Sequence, residues 1–173
     1  MKRILAVACC IALGSLAAPA QKKAGMTDQQ FVDFAAQTDM VEANLGQFAQ
    51  NAAASQAVKD YGQTLVTDHT NDLGQLYTAA KQANLNVPTA IDGQHNKAMI
   101  DPFQKLKGEA FDRRYAAEMV SGHTKAIAIY KKEAADAENQ ALKTYAQTAL
   151  PTLEKHLDAA KDLEKPAGKK EQP

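Results

Sequence analysis

The chain has 173 residues, a formal net charge of zero and an apolar fraction of 45%, with no Trp and only 6% aromatic residues. This length fits one domain, and the lack of a concentrated basic region argues against nucleic-acid binding. Much of the apolar fraction is alanine, the residue with the highest helix propensity. The composition therefore favours an all-α domain over a sheet.

The first twenty residues have the three parts of a secretory signal peptide. A basic start (residues 2–3) precedes an apolar run (residues 4–18) and a small-residue cleavage signal that ends at Ala20. The apolar run of about 15 residues is shorter than the roughly 20 that span a bilayer, and an uncleaved anchor is the alternative. We predict that residues 1–20 are cleaved near Ala20 and that the mature protein is periplasmic or secreted.

Removal of this segment changes what the mature protein can bind. Both cysteines lie within it, so the mature chain would have neither disulfides nor Cys-ligated metals. It would carry 18 basic and 20 acidic residues, a net charge of −2. No later apolar run is long enough to span a membrane.

Periodic apolar residues after a flexible leader (residues 21–27) predict four long helices. Thr27 and Gln30 form a capping box at the start of the first. The predicted helices cover residues 28–51, 56–83, 108–137 and 139–163, and a charged tail (residues 164–173) is expected to be disordered. The inward arc of the first helix is predicted to contain Phe31, Phe34, Ala35, Thr38, Val41, Leu45, Phe48 and Ala49.

The connection between the second and third helices, residues 84–107, is too long for a simple hairpin loop. Thr89 and Asp92 are placed to cap a short helix that Pro102 interrupts. A connection of this length suits a crossover along a bundle, as in ferritin-like folds. We therefore expect a ferritin-like four-helix bundle over residues 28–163, with two helical hairpins joined by a long crossover that contains a short helix.

Three of the four histidines are predicted to point into the bundle, each from a different helix. At about 100° per residue, His69, His123 and His156 fall within the apolar stripes of their helices, whereas His95 lies in the crossover. Parallel second and third helices would put His69 and His123 at one level. Imidazole suits Zn, Cu and Fe, so these three histidines are the predicted ligands of a transition metal. Glu42, at the edge of its helix's inward arc, is the predicted fourth ligand.

Groups that hydrogen-bond to ligating imidazoles orient them, and the candidates for this role are Asp68, Asp72, Asp112 and Tyr115. For Asp68 a solvated surface position is the alternative. Buried histidines can also form a hydrogen-bonded network with Tyr and Asp and no metal, which would suit a structural or stress-protective envelope protein. Side chains more than about 8 Å apart could not share one ion at bonds of roughly 2 Å.

The sequence lacks the residue pairs of a known catalytic centre. Ferritin-like di-iron oxidases use Glu-x-x-His pairs, but Glu118 and His123 are five residues apart, and Glu154 and His156 are two apart. No Ser/His/Asp set, glycine-rich phosphate loop or His-Glu-x-x-His motif occurs. A binding or structural protein is therefore favoured over an enzyme.

The sequence resembles the bacterial exported proteins of the domain-of-unknown-function 4142 family. The resemblance lies in YGQTLVTDHT (residues 61–70), GEAFDRRY (residues 108–115), residues 123–130 and LPTLEKHL (residues 150–157). It covers about residues 28–163 and implies a ferritin-like four-helix bundle, often periplasmic or envelope-associated, with no established activity. The family's recurring polar positions correspond here to Glu42, Asp68, His69, Asp112, His123 and His156.

Overall fold

A computed structural model describes residues 25–165, and every regular element in this range is helical, which confirms the predicted all-α class. The predicted signal peptide and the tail beyond residue 165 lie outside the described residues. No helix in the described range is both long and apolar enough to cross a membrane. The helices are α1 (Asp28–Ala52), α2 (Gln56–Gln82), α3 (Gly93–His95), α4 (Gly108–Asp136) and α5 (Gln140–Glu164).

Side-chain caps fix where two of the long helices begin. At the start of α1, Thr27 Oγ1 accepts a hydrogen bond from Gln30 N at 3.2 Å, and Gln30 Oε1 accepts one from Thr27 N at 2.9 Å. This is the predicted capping box. At the start of α5, Asn139 Oδ1 accepts hydrogen bonds from the N–H groups of the second and third helical residues, Ala141 and Leu142. Local sequence therefore determines these two boundaries.

The four long helices pack as two hairpins, α1 with α2 and α4 with α5, and α2 also packs along α5. The connection between the hairpins, residues 83–107, contains α3, a π-helical turn (Asn96–Ile100) and a 3₁₀ turn (Asp101–Phe103). It therefore forms the predicted crossover of a ferritin-like four-helix bundle.

A buried glutamine holds the crossover against α1. Gln37 Nε2 donates a hydrogen bond to Ala90 O at 3.0 Å, and Gln37 Oε1 accepts one from Asp92 N at 3.0 Å. Ile100 and Phe103 bury their side chains on the same side of the bundle. The crossover is thus attached to the core by both polar and apolar contacts.

Helices α1 and α2 approach closely at two glycines. A Cβ atom on Gly46 would lie 2.5 Å from Gly62 O, and one on Gly62 would lie 2.8 Å from Ala49 Cβ. Only glycine permits this backbone separation. Gly46 lies one helical turn after Glu42, and Gly62 lies two turns before His69, so the contact fixes the spacing of these two side chains.

The core consists of two apolar clusters with a layer of polar side chains between them. One cluster contains Phe31, Tyr130 and Leu153, and the other contains Leu45 and Met119. Along each long helix, the buried acidic and histidine side chains occupy positions between these two clusters. We call these residues the polar layer: Asp39, Glu42, His69, His123 and His156.

Candidate metal centre

Three imidazoles meet in the polar layer. The ring centroids of His69 and His123 are 5.9 Å apart, and that of His156 is 5.2 Å from each of them. One nitrogen from each ring can be chosen so that all three lie within 4.8 Å of one another. All three side chains are buried. The side chains are closer than the limit of about 8 Å, and small shifts would bring nitrogens up to 4.8 Å apart to within bonding distance of one ion.

The Glu42 carboxylate lies between two of the imidazoles. Its Oε2 atom is 3.3 Å from both His69 Nε2 and His123 Nε2. A tetrahedral site with bonds of 2.0–2.1 Å has ligand atoms about 3.3 Å apart. The sequence placed Glu42 at the edge of its arc, but the structure buries it, with 5% of its surface exposed.

Each imidazole is oriented by a hydrogen bond at the nitrogen that faces away from the centre. Every partner is a carboxylate or carbonyl oxygen, which accepts, so the outward nitrogen donates and the inward one can offer its lone pair to an ion once any proton on it has left. Metal-binding histidines commonly have such partners. The pairs, each 2.9 Å apart, are His69 Nδ1 with Asp39 Oδ1, His123 Nδ1 with Met119 O, and His156 Nε2 with Asp68 Oδ2.

The inward atoms have no hydrogen-bond partner among residues 25–165. They are His69 Nε2, His123 Nε2, His156 Nδ1 and Glu42 Oε2, all inaccessible to solvent. A buried polar atom without a partner costs on the order of 1–3 kcal/mol. Three imidazole nitrogens and a carboxylate oxygen are suitable ligands for Zn, Cu or Fe. The residues present therefore fit a transition-metal ion.

Burial and pairing shift the pKa values of the groups in the polar layer. Burial raises the pKa of Asp39 to about 7. Burial would also raise the pKa of Glu42, but the neighbouring His123 and His69 hold it below its ordinary value. For His69, burial opposes the charged form, but the hydrogen bond to Asp39 and the Glu42 carboxylate 3.3 Å away raise the pKa to about 10. Burial lowers the pKa of His156 to about 4. Without metal, His69 is therefore the cation that balances the buried carboxylates at neutral pH.

Of the four residues predicted to orient the imidazoles, Asp68 contacts one, His156. The Asp68 side chain is 37% exposed, so it lies where the polar layer meets the surface. Asp72 has a different partner, because its Oδ2 accepts a hydrogen bond from Tyr145 Oη at 2.6 Å. Tyr130 Oη lies 3.0 Å from Tyr145 Oη and extends this chain into the core.

The remaining two predicted residues have structural contacts elsewhere. The Asp112 carboxylate accepts hydrogen bonds from Ala54 N at 3.1 Å and Ser55 N at 2.8 Å, so it caps the start of α2 from another helix. The Tyr115 ring stacks on Phe111, with centroids 5.3 Å apart. Tyr115 is buried, whereas Asp112 is only partly buried. The sequence alone could not show that their nearest groups would be an aromatic ring and the turn before α2.

Asp39 is the residue that the sequence analysis missed. It is 2% exposed and bonds to His69, yet an isolated acid within an apolar stripe gave no reason to place it inside. Its spacing offered a signal: Asp39 lies four residues after the buried Ala35 and three before Glu42. That spacing places the two carboxylates on one face of α1.

The fold and the site together define a ferritin-like helical-bundle protein with a buried cluster of three histidines. The chain belongs to the family described as domain of unknown function DUF4142, whose profile matches residues 13–163. This match confirms the resemblance carried by the sequence motifs. A search of curated proteins finds no match.

A solved structure described as CopM in the Cu(II)-bound form has a similar fold. Its TM-score is 0.66 at 15% sequence identity, and the match covers 80% of this chain and 96% of the CopM chain. At this identity the likeness concerns the fold alone.

Proposed function

We propose that this protein is an exported binding protein for one transition-metal ion. The ligands are His69 Nε2, His123 Nε2 and His156 Nδ1, with the Glu42 carboxylate as the fourth. One observation carries the proposal. Each imidazole is held by an acceptor at its outward nitrogen, and the inward atoms face one another without a protein partner.

The charge of the polar layer supports a divalent ion. Asp39 and Glu42 are both nearly inaccessible to solvent. An uncompensated buried carboxylate is costly, so a nearby positive charge is required. When Asp39 and Glu42 are both ionised, these two carboxylates and three neutral imidazoles carry a charge of −2, which one divalent cation neutralises. The ion then replaces the proton that His69 holds in the metal-free protein.

Copper(II) is the ion that we expect to bind most tightly. At nitrogen and oxygen sites the affinity of divalent metals rises to Cu²⁺ and falls again at Zn²⁺. CopM, which shares the fold, has been solved in a Cu(II)-bound form. The 3.3 Å separations around Glu42 are also compatible with tetrahedral Zn²⁺. We therefore expect Zn²⁺ to bind at the same site, but less tightly.

A metal-free structural protein is the second candidate. The observation that favours it is the position of His69, which lies between Asp39 and Glu42 and can balance them as an imidazolium. In a network that holds helices in register, each buried donor and acceptor would be expected to have a hydrogen-bond partner. Here neither His123 Nε2 nor His156 Nδ1 makes a hydrogen bond within the described chain, and His123 Nε2 has only the Glu42 carboxylate nearby, at 3.3 Å. The metal site accounts for them and the network does not.

Metal analysis of protein purified without chelator tests the proposal. We expect about one Cu²⁺ or Zn²⁺ per chain after loading, and tight binding must also raise the melting temperature. The His123→Ala variant should lose the ion. His95→Ala is the matched control, because His95 lies in the crossover and bonds to Asp92. Less than about a tenth of an ion per chain, with no stabilisation by Cu, Zn or Fe, would refute the proposal.

Export is tested by the N-terminus of the mature chain. Expressed from its full sequence in a Gram-negative host, the protein should appear in the periplasmic fraction and begin near Gln21. Intact-mass measurement of that fraction distinguishes cleavage from a retained anchor. A mass that includes residues 1–20 would contradict the predicted cleavage.

A further inference from the structure

Two pockets flank the polar layer on opposite sides. The first, here called the α2–α5 cleft, has a volume of about 230 Å³ and is lined by residues of those two helices, including His69 and His156. The second, here called the α1–α4 pocket, has a volume of about 240 Å³ and is partly covered by the crossover. It is lined by Glu42 but by none of the three clustered histidines.

We infer that hydrated metal cations enter and leave the buried centre through the α2–α5 cleft. This inference rests on the proposed function, because it specifies the route to the same metal site. The first argument is access. The cleft is lined by two of the three histidines, so only the rings of His69 and His156 separate a cation there from the inward nitrogens. A cation in the α1–α4 pocket would meet the carboxylates of Glu42 and Glu118 but none of the three clustered imidazoles.

The charge and polarity of the walls support the same route. The cleft is lined by Asp68 and Asp72, and no lysine or arginine lines it within the described chain. Thr148, Thr152 and Gln75 add oxygen atoms that can replace water around a cation. The walls of the α1–α4 pocket are largely apolar, and the charge of Lys125 there offsets part of the negative charge of Glu42 and Glu118.

The cleft is also large enough for an ion that still carries its water. A water molecule occupies about 30 Å³ in the liquid, so six waters need roughly 180 Å³. The cleft volume of about 230 Å³ exceeds this value. The ion can therefore reach His156 before it loses its hydration shell, and the imidazoles replace the waters as it moves inward.

A matched pair of threonine substitutions tests the route. Thr152 lines the cleft and lies one helical turn before His156, whereas Thr38 lines the α1–α4 pocket one turn before Glu42. Both threonines are partly buried. Thr152→Phe should obstruct the cleft, and Thr38→Phe should obstruct the other pocket to a similar extent. The measurements are the rate of Cu²⁺ loading by stopped flow and the rate of Cu²⁺ removal by EDTA.

We expect Thr152→Phe to slow both loading and removal by about tenfold, with the dissociation constant changed less than about threefold. An obstruction affects the two directions equally because the bound and free end states are unchanged. Thr38→Phe should leave both rates near those of the native protein. Native rates in Thr152→Phe, or slow exchange in Thr38→Phe alone, would overturn the inference. If the native protein itself bound no Cu²⁺, the proposed function would fail instead.

A second variant keeps the test decisive if Thr152→Phe does not fold. Gln75 is exposed and lines the same cleft. Gln75→Lys should slow Cu²⁺ loading several-fold at low ionic strength, and this effect should fade at high salt because the added charge is screened. A loading rate unaffected by Gln75→Lys at low salt would contradict entry through the cleft.

Discussion

The Asp39 carboxylate determines how strongly His69 can act as a ligand. It accepts a hydrogen bond from His69 Nδ1 at 2.9 Å within the core, where the interaction is barely screened. A carboxylate in this position fixes the ring and makes its other nitrogen more basic. At the scale of single residues, the site therefore depends on groups that do not touch the ion.

We expect Asp39→Asn to weaken metal binding by about 10- to 100-fold. The asparagine can still accept the hydrogen bond, but it brings no negative charge to His69. The measurement is a competition titration against a chelator of known affinity. Asp112→Asn is the control, because Asp112 caps the start of α2 and should change stability rather than affinity. Equal loss of affinity in both variants would mean that the effect comes from general destabilisation.

The raised pKa of His69 predicts that metal binding releases a proton. With a pKa of about 10, His69 is protonated at pH 8, and an ion bound at Nε2 must displace that proton. His156, whose pKa is lowered to about 4, is already neutral and contributes none. We expect about one proton released per ion at pH 8. Calorimetry in buffers of different ionisation enthalpy measures this number, and a value near zero would contradict the His69 assignment.

The raised pKa of His69 also sets how the stability of the metal-free protein depends on pH. Because the pKa of His69 is raised from 6.5 to about 10, its stabilising contribution is complete below pH 6.5 and is lost as the pH rises through 10. Metal affinity has the opposite dependence and should increase over that range as the competing proton becomes easier to remove.

At the scale of helices, the contact between α1 and α2 places the α1 carboxylates beside His69. We expect Gly46→Ala to destabilise the protein by about 1–3 kcal/mol, since its Cβ would lie 2.5 Å from Gly62 O and force the helices apart. Metal affinity should fall as well, because Glu42 moves with α1. Urea unfolding and the chelator titration measure the two effects.

Gly74→Ala is the matched control for that variant. Gly74 also lies within α2, but a Cβ there would meet nothing within 4 Å. Alanine in an open helical position is favoured over glycine by about 0.5–1 kcal/mol. The control should therefore raise stability slightly and leave metal affinity unchanged. A destabilising effect of similar size in both variants would contradict the close-contact explanation.

The glycine contact also explains which part of α1 the sequence did not predict. The start of α1 followed from its capping box, and the buried face of α4 followed from its apolar stripe. On α1, however, Phe34, Thr38 and Phe48 are only partly buried. The face turned fully inward includes Ala36, Asp39, Glu42 and Gly46. The inward arc was assigned from the positions of large apolar residues, and this procedure does not count glycines or carboxylates as inward. These are the residues that face α2.

At the scale of the whole molecule, the polar layer interrupts a core that would otherwise be continuous. The histidines were predicted to share a level because equal helical rise puts His69 and His123 at similar depths. Their partners were not all predictable in the same way. Met119 O lies four residues before His123 on the same helix, within reach of its ring. Asp39 becomes a partner of His69 only when the rotation of α1 against α2 is known to within a few tens of degrees, and single-helix periodicity does not fix rotation that closely.

The two candidate functions make opposite predictions for His123→Leu. His123 is fully buried, and its Nε2 has no hydrogen-bond partner within residues 25–165. If the layer is built to hold an ion, replacing this imidazole with leucine should lower the free energy of unfolding of the metal-free protein by less than about 1 kcal/mol, or should raise it. The reason is that replacing buried polar groups with apolar ones of similar size often costs no stability. If the layer is a structural network, breaking it should cost about 3–5 kcal/mol.

The increase in stability on metal binding provides a second way to distinguish the two candidate functions. An ion present at 1,000 times its dissociation constant stabilises the native state by about 4.1 kcal/mol. For a chain of this size that corresponds to a rise in melting temperature of roughly 8–16 °C. The native protein should show this increment between chelator and Cu²⁺, and His123→Leu should show little of it. A variant that loses stability in chelator yet keeps the full Cu²⁺ increment would place the ion elsewhere, because His123 would then serve the fold and not the metal.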